Sequence, residues 1–96
     1  MLSLGVAMDF GAHFYPLLDA VAARLTPNWV ESIREYVKYG EINLAFETLC
    51  DAISECDVTI DYDLWARLRD MGKDMDVDAS YWEMLNVAGR DSAPPN

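Results

Sequence analysis

One histidine, two cysteines, five glycines and seven basic residues leave this chain short of the groups from which most active sites are built. His13 stands ahead of the first clear helical pattern, with no serine or cysteine near it in sequence. A nucleophile–histidine pair could therefore be assembled only by tertiary structure. Cys50 and Cys56 with one distant histidine do not make a tetrahedral zinc set, and no glycine falls in a phosphate-cradling loop. No run of about eighteen apolar residues is present, so no membrane-spanning segment is expected. Residues 1–8 are mildly apolar but lack a basic leader, and Asp9 interrupts them, so no targeting segment is expected either. These scarcities point away from an enzyme, a cofactor or a metal centre.

Positive charge is the other shortage. Seventeen acidic residues against seven basic ones give a net charge of −10 and a pI near 4.2. Such a balance argues against nucleic acid or an anionic membrane as a ligand and favours a basic protein partner. Between Lys38 and Arg67 there is no basic residue at all, while Glu41, Glu47, Asp51, Glu55, Asp57, Asp61 and Asp63 all fall in that interval. The same interval holds Leu44, Ala45, Phe46, Leu49 and Ile53, so it reads as folded rather than as an acidic tail. A folded segment under this much self-repulsion gains from a positively charged partner.

What is present is a core. With 96 residues, 52% hydrophobic and 11% aromatic, the chain is expected to form one domain over residues 1–89, followed by a flexible tail over 90–96. The periodicity is helical throughout. Residues 14–25 place Phe14, Leu17, Leu18, Val21, Ala22 and Leu25 at helical spacing, with Pro16 expected in the first turn. Thr26-Pro27 is a helix start, with a hydroxyl cap followed by proline, and Gly40 is a natural stop. The helix between them carries Trp29, Val30, Ile33, Tyr36 and Val37 on one face. A third helix over 41–56 buries Ile42, Ala45, Phe46, Leu49, Ala52, Ile53 and Cys56, with Glu41 in its first turn. Cys50 and Cys56 would lie about 9 Å apart along that helix and about 120° apart around it, a poor disulfide geometry. Two buried thiols would fit a reducing cytoplasm.

Asp61 is placed to cap a fourth helix over 62–75, whose apolar face is Leu64, Trp65, Leu68, Met71 and Met75. Gly72 weakens its last turn. Asp78 or Ser80 could cap a short fifth helix with Tyr81, Trp82, Met84 and Leu85. No strand pattern stands out. The expectation is an all-α fold, a compact bundle of four to five short antiparallel helices.

The alternating acids Asp74, Asp76 and Asp78 invite comparison with a calcium loop. That loop needs glycine at its sixth position and glutamate at its twelfth, and here those positions hold Ala79 and Leu85. Carboxylate pairs elsewhere signify little, since seventeen acids yield pairs anyway.

The order of these signals resembles a known family. Leu25-Thr26, the helix ending in Glu35-Tyr36-Val37, the run from Gly40 to Glu55 and then Val58-Thr59-Ile60 are similar to the MafI-like immunity proteins of bacterial polymorphic-toxin and contact-dependent growth inhibition systems. The resemblance spans about seventy residues, 17–85, and rests on Glu41, Leu44, Ala45, Glu47 and Leu49. It implies a small, all-α, cytoplasmic protein that binds and neutralises the toxic C-terminal domain of a secreted effector, often a nuclease and in several cases an EndoU-type RNase. In that reading Leu44, Ala45 and Leu49 are structural.

Glu47, Asp51 and Glu55 follow one another at i, i+4 and i+8, where each like-charged pair costs roughly 0.2–0.5 kcal/mol. They head the expected partner-binding set, joined by Asp57, Asp61 and Asp63 and by the rim tyrosines Tyr39 and Tyr62. The rival reading is an acidic helical adaptor or regulatory subunit that uses an apolar groove. One exposed patch of Met71, Met75, Trp82 and Met84 would favour it, and burial of those residues would favour the immunity reading.

Overall fold

Burial decides the first helix against its own proline. In the computed structural model, which describes residues 10–89, α1 runs Phe10–Val21 with Pro16 in its interior, followed by a 3₁₀ turn at Ala22–Arg24. The expected start near Pro16 is thus several residues late. An interior proline costs about 3 kcal/mol through its missing N–H. Phe14, Leu17, Leu18 and Val21 are all buried, at roughly 1.5–3 kcal/mol each, which outweighs that cost.

Helix α2 spans Pro27–Lys38 and α3 spans Ile42–Glu55. Thr26 occupies the cap position of α2 as expected, but its hydroxyl makes no capping bond; its backbone carbonyl accepts from Trp29 and Val30 at 3.1 and 3.3 Å instead. The turn between α2 and α3 is closed by glycine. Gly40 has φ +79°, its N–H donates to the Val37 carbonyl at 3.1 Å, and the Glu41 N–H donates to Tyr36 at 2.8 Å. This is a Schellman stop, which forces the helices into a hairpin. Glu41 lies one residue outside α3 and makes no side-chain cap, contrary to its expected place in the first turn.

Two further helices end the same way without glycine. Asp57 after α3 (φ +55°) and Asp76 after the helix that ends at Asp74 (φ +61°) take the left-handed position, where aspartate is tolerated better than most residues. The N–H groups of Val58 and Val77 then reach back to Ile53 and Gly72 at 3.0 and 2.9 Å, and both valines are buried.

Helix α4 spans Tyr62–Asp74, and Asp61 caps it as expected, its Oδ1 accepting the Leu64 N–H at 2.7 Å. Helix α5 is a single turn, Ser80–Glu83, so Met84 and Leu85 fall beyond it. A small parallel sheet was not foreseen. Strand β1 (Thr59–Ile60) pairs with β2 (Asn86–Val87), with Thr59 opposite Asn86 and Ile60 opposite Val87. Its inward residues, Ile60 and Val87, are buried, which explains the β-branched choice. The Arg24 guanidinium donates to the Thr59 carbonyl at 2.9 Å and ties the 3₁₀ turn to this sheet.

The architecture is otherwise the all-α bundle expected, with one core that includes Phe14, Leu18, Ile33, Phe46, Leu49, Ile53, Ile60 and Leu68. Of the three tryptophans, Trp82 is buried, while Trp29 and Trp65 are half-buried. Gly72 does not merely weaken a turn. A Cβ there would sit 2.2 Å and 2.6 Å from two atoms of the Trp82 ring, so its lack of a side chain lets α5 dock on α4. Trp82 is further held edge-on to Phe46 at 6.4 Å, and its carbonyl accepts the Trp65 indole N–H at 2.8 Å. No helix among the described residues is long and apolar enough to cross a membrane. The expectations for residues 1–9 and for the tail over 90–96 lie outside the described residues.

Candidate partner-binding surface

The outer face of α3 follows from its inner one. Ala45, Phe46, Leu49, Ala52 and Ile53 turn to the core, which leaves Glu47, Asp51 and Glu55 on the opposite side of the helix. Glu55 is exposed; Glu47 and Asp51 are half-buried. Among the described residues none of the three joins an ion pair: those present are Arg34–Asp19, Arg67–Asp63 and Arg69–Asp70. Partial burial, and then the charge of Glu55, push the Asp51 carboxyl above its usual range. A carboxylate held this way gains from an incoming cation more than a freely hydrated one does.

Two residues outside the expected partner-binding set join this stripe. Leu44 is 40% exposed and lies three residues before Glu47 on the same face, so it is an outward apolar contact rather than the structural residue the resemblance implies. The helical repeat contained that signal. Tyr81, half-buried on α5, lies close enough to Glu47 that this charge, followed by burial, Asp51 and Asp78, raises its phenol above the ordinary value. No local pattern points to Tyr81, because its position depends on α5 docking over Gly72.

The remaining expected residues divide. Asp57, Asp61, Tyr62 and Asp63 collect where α3 ends and α4 begins, and most have local partners. Asp57 accepts from the Asn86 amide at 3.2 Å, Asp61 caps α4, and Asp63 pairs with Arg67 at 3.2 Å in the open. Tyr62 is 60% exposed and leans on Trp65 at 5.6 Å, with Arg69 over the other ring at 5.2 Å. Tyr39 is 68% exposed but caps the far end of the α2–α3 hairpin. Fourteen residues of α3, about 21 Å at 1.5 Å each, separate it from Asp57. The two rim tyrosines do not form one patch.

Chemistry within the fold is sparse. Cys50 is buried and Cys56 half-buried, so only one thiol is as enclosed as expected, and both are free. Burial first, then Asp51 and Glu47, push the Cys50 thiol far up, which makes it an inert core group. Asp78 is held below the usual carboxylate range by the Ser80 backbone N–H, bonded at 2.8 Å, and by the Ser80 hydroxyl. Among the described residues no three His, Cys, Asp or Glu side chains are grouped to hold a metal ion. A crevice of about 330 Å³ between α1 and α4 is lined by His13, Leu17, Arg67 and Asp70. The apolar groove of the adaptor reading does not form: Met71, Met75 and Trp82 are buried, and Met84 is exposed at 45% without them. No known family model matches this chain, and no curated protein or solved structure matches it either.

Proposed function

We propose that this chain is an immunity protein, which binds and neutralises the toxic C-terminal domain of a secreted bacterial effector by covering its active site or the surface beside it. The observation that carries the reading is the outer stripe of α3: three carboxylates at one-turn spacing with no ion pair among the described residues, flanked by exposed Leu44 and by Tyr81. A nuclease grips phosphate with lysine and arginine, so an inhibitor gains by offering carboxylates to that cleft. The resemblance to the MafI-like family gives the same partner, a basic nuclease domain, with an EndoU-type RNase as the first to test. Inhibition is by occlusion and involves no chemistry on the part of this chain.

Charge serves speed here. Complementary potentials lift association from about 10⁵–10⁶ toward 10⁸–10⁹ M⁻¹s⁻¹ at low salt, and an inhibitor must capture its toxin before damage accumulates. The same reading places the protein in the cytoplasm, and its two free thiols fit that compartment.

Reversing Glu47, Asp51 and Glu55 together to lysine should slow association with the toxin domain by about 10²-fold or more while leaving helical circular dichroism unchanged. Raising salt from about 50 to about 500 mM should slow the wild-type protein in the same direction. Unchanged binding and protection in the triple variant would reduce the stripe to a solvated surface and remove this function's main support.

A further inference from the structure

Helix α2 presents to solvent a face whose charges have no partners within the helix. Pro27, Val30, Glu31, Arg34, Glu35 and Lys38 line an open groove of about 430 Å³. At about 100° per residue, positions 27, 31, 34 and 38 fall within about 60° of one another, with Val30 and Glu35 on the flanks. All but half-buried Val30 are exposed. Such a row of alternating charge is normally explained by pairing along the helix. That is not what is found. Glu31, Glu35 and Lys38 make no ion pair among the described residues, and Arg34 reaches only Asp19 on α1, at 3.6 Å in the open. Helix α4 is the contrast: Asp63 with Arg67 and Arg69 with Asp70 pair inside it.

The order of signs along α2 is minus, plus, minus, plus, and reversing it gives its own complement. A second copy laid antiparallel, with the two-fold axis between Arg34 and Glu35, sets Glu31 opposite Lys38 of the partner subunit. It also sets Arg34 opposite Glu35 of the partner subunit, and each pair occurs twice. Parallel pairing would set every charge against its like. Two chains of −10 repel through most of their surface, whereas α2 carries two acids and two bases and is locally neutral. We infer that α2 is the self-association face of this protein, forming an antiparallel dimer across the Arg34–Glu35 axis.

The dimer is weak. Twelve residues make a contact about 18 Å long, at the small end of specific interfaces, which suits a Kd on the order of 100 μM. None of its residues belongs to the outer stripe of α3, so the inference stands apart from the proposed function, and a dimer would carry two such stripes.

Analytical ultracentrifugation from about 10 μM to about 1 mM tests it. Wild type should pass from monomer to dimer. Glu31→Lys and Lys38→Glu should each be monomeric throughout, since each sets like charges opposite twice. The double variant Glu31→Lys/Lys38→Glu should dimerise again, and an equimolar mixture of the two single variants should form a heterodimer. Glu31→Lys is the sharpest member, because it lowers the net repulsion yet should abolish association. Monomeric wild type at every concentration, a dimer that survives either single reversal, or no recovery in both the double variant and the mixture would overturn the inference.

Discussion

Replacing Gly72 by alanine should destabilise this protein, although the same change in most helices stabilises. Alanine is worth about 0.8–1.0 kcal/mol over glycine in a helix interior. Against this stands the Trp82 ring, two of whose atoms would lie 2.2 and 2.6 Å from the new Cβ, with Phe46 at 3.1 Å. The ring is not free to swing away. Trp82 is buried, is met edge-on by Phe46, and its own carbonyl is held by the Trp65 indole. Overpacking costs about 1–3 kcal/mol, and two contacts under 3.0 Å to a held ring put this case in the upper half of that range, so the net loss should be roughly 1–2 kcal/mol. For a domain of this size, each kcal/mol lowers Tm by about 4–8 °C. Urea unfolding monitored by tryptophan fluorescence measures it directly. In a Trp82→Phe background the clashing atoms are gone, and Gly72→Ala should revert to a gain of up to about 1 kcal/mol. A Gly72→Ala protein as stable as wild type in the native background would refute the claim that this glycine exists to seat α5.

Two further outcomes follow from the titrating and left-handed groups. The Cys50 thiol stays protonated in the fold while the unfolded thiol ionises from about pH 8.5, so the native state holds more protons above that pH and loses stability as pH rises, by up to about 1.4 kcal/mol per unit. Denaturation across pH 8–10 should show this slope, and Cys50→Ala, though less stable overall, should flatten it; an equal slope in both would reject the assignment. Asp76 places a negative charge at the C-terminal end of α4 in left-handed backbone. Asp76→Asn keeps a residue tolerant of that conformation and removes the charge, which should add about 0.3–1 kcal/mol at low salt and little at high salt.

Much of this fold is written locally. Pro27 at a helix start, Gly40 at a helix end and the Asp61 cap are decisions made within four residues of chain, and each lies where the sequence puts it. What escaped notice is settled by distant contacts. Pro16 lies inside α1 because four core residues outweigh one missing hydrogen bond, and no rule confined to the helix weighs that. Strands of two residues carry too little pattern to be seen, and the partner of Thr59 lies 27 residues away. The acid stripe was legible as a period, and Leu44 was recoverable from the same period. Tyr81 was not, since its neighbours are chosen by how α5 seats.

The pairing of β1 with β2 also sets an order in time. The α2–α3 hairpin is joined by three residues and, once both helices are made, can close within microseconds. The clasp between Thr59 and Asn86 must wait for the intervening 27 residues, which a ribosome delivers at about 5–20 per second, a delay of about 1–5 s. For that interval the nascent chain displays its acidic stripe before Tyr81 has come to rest beside it.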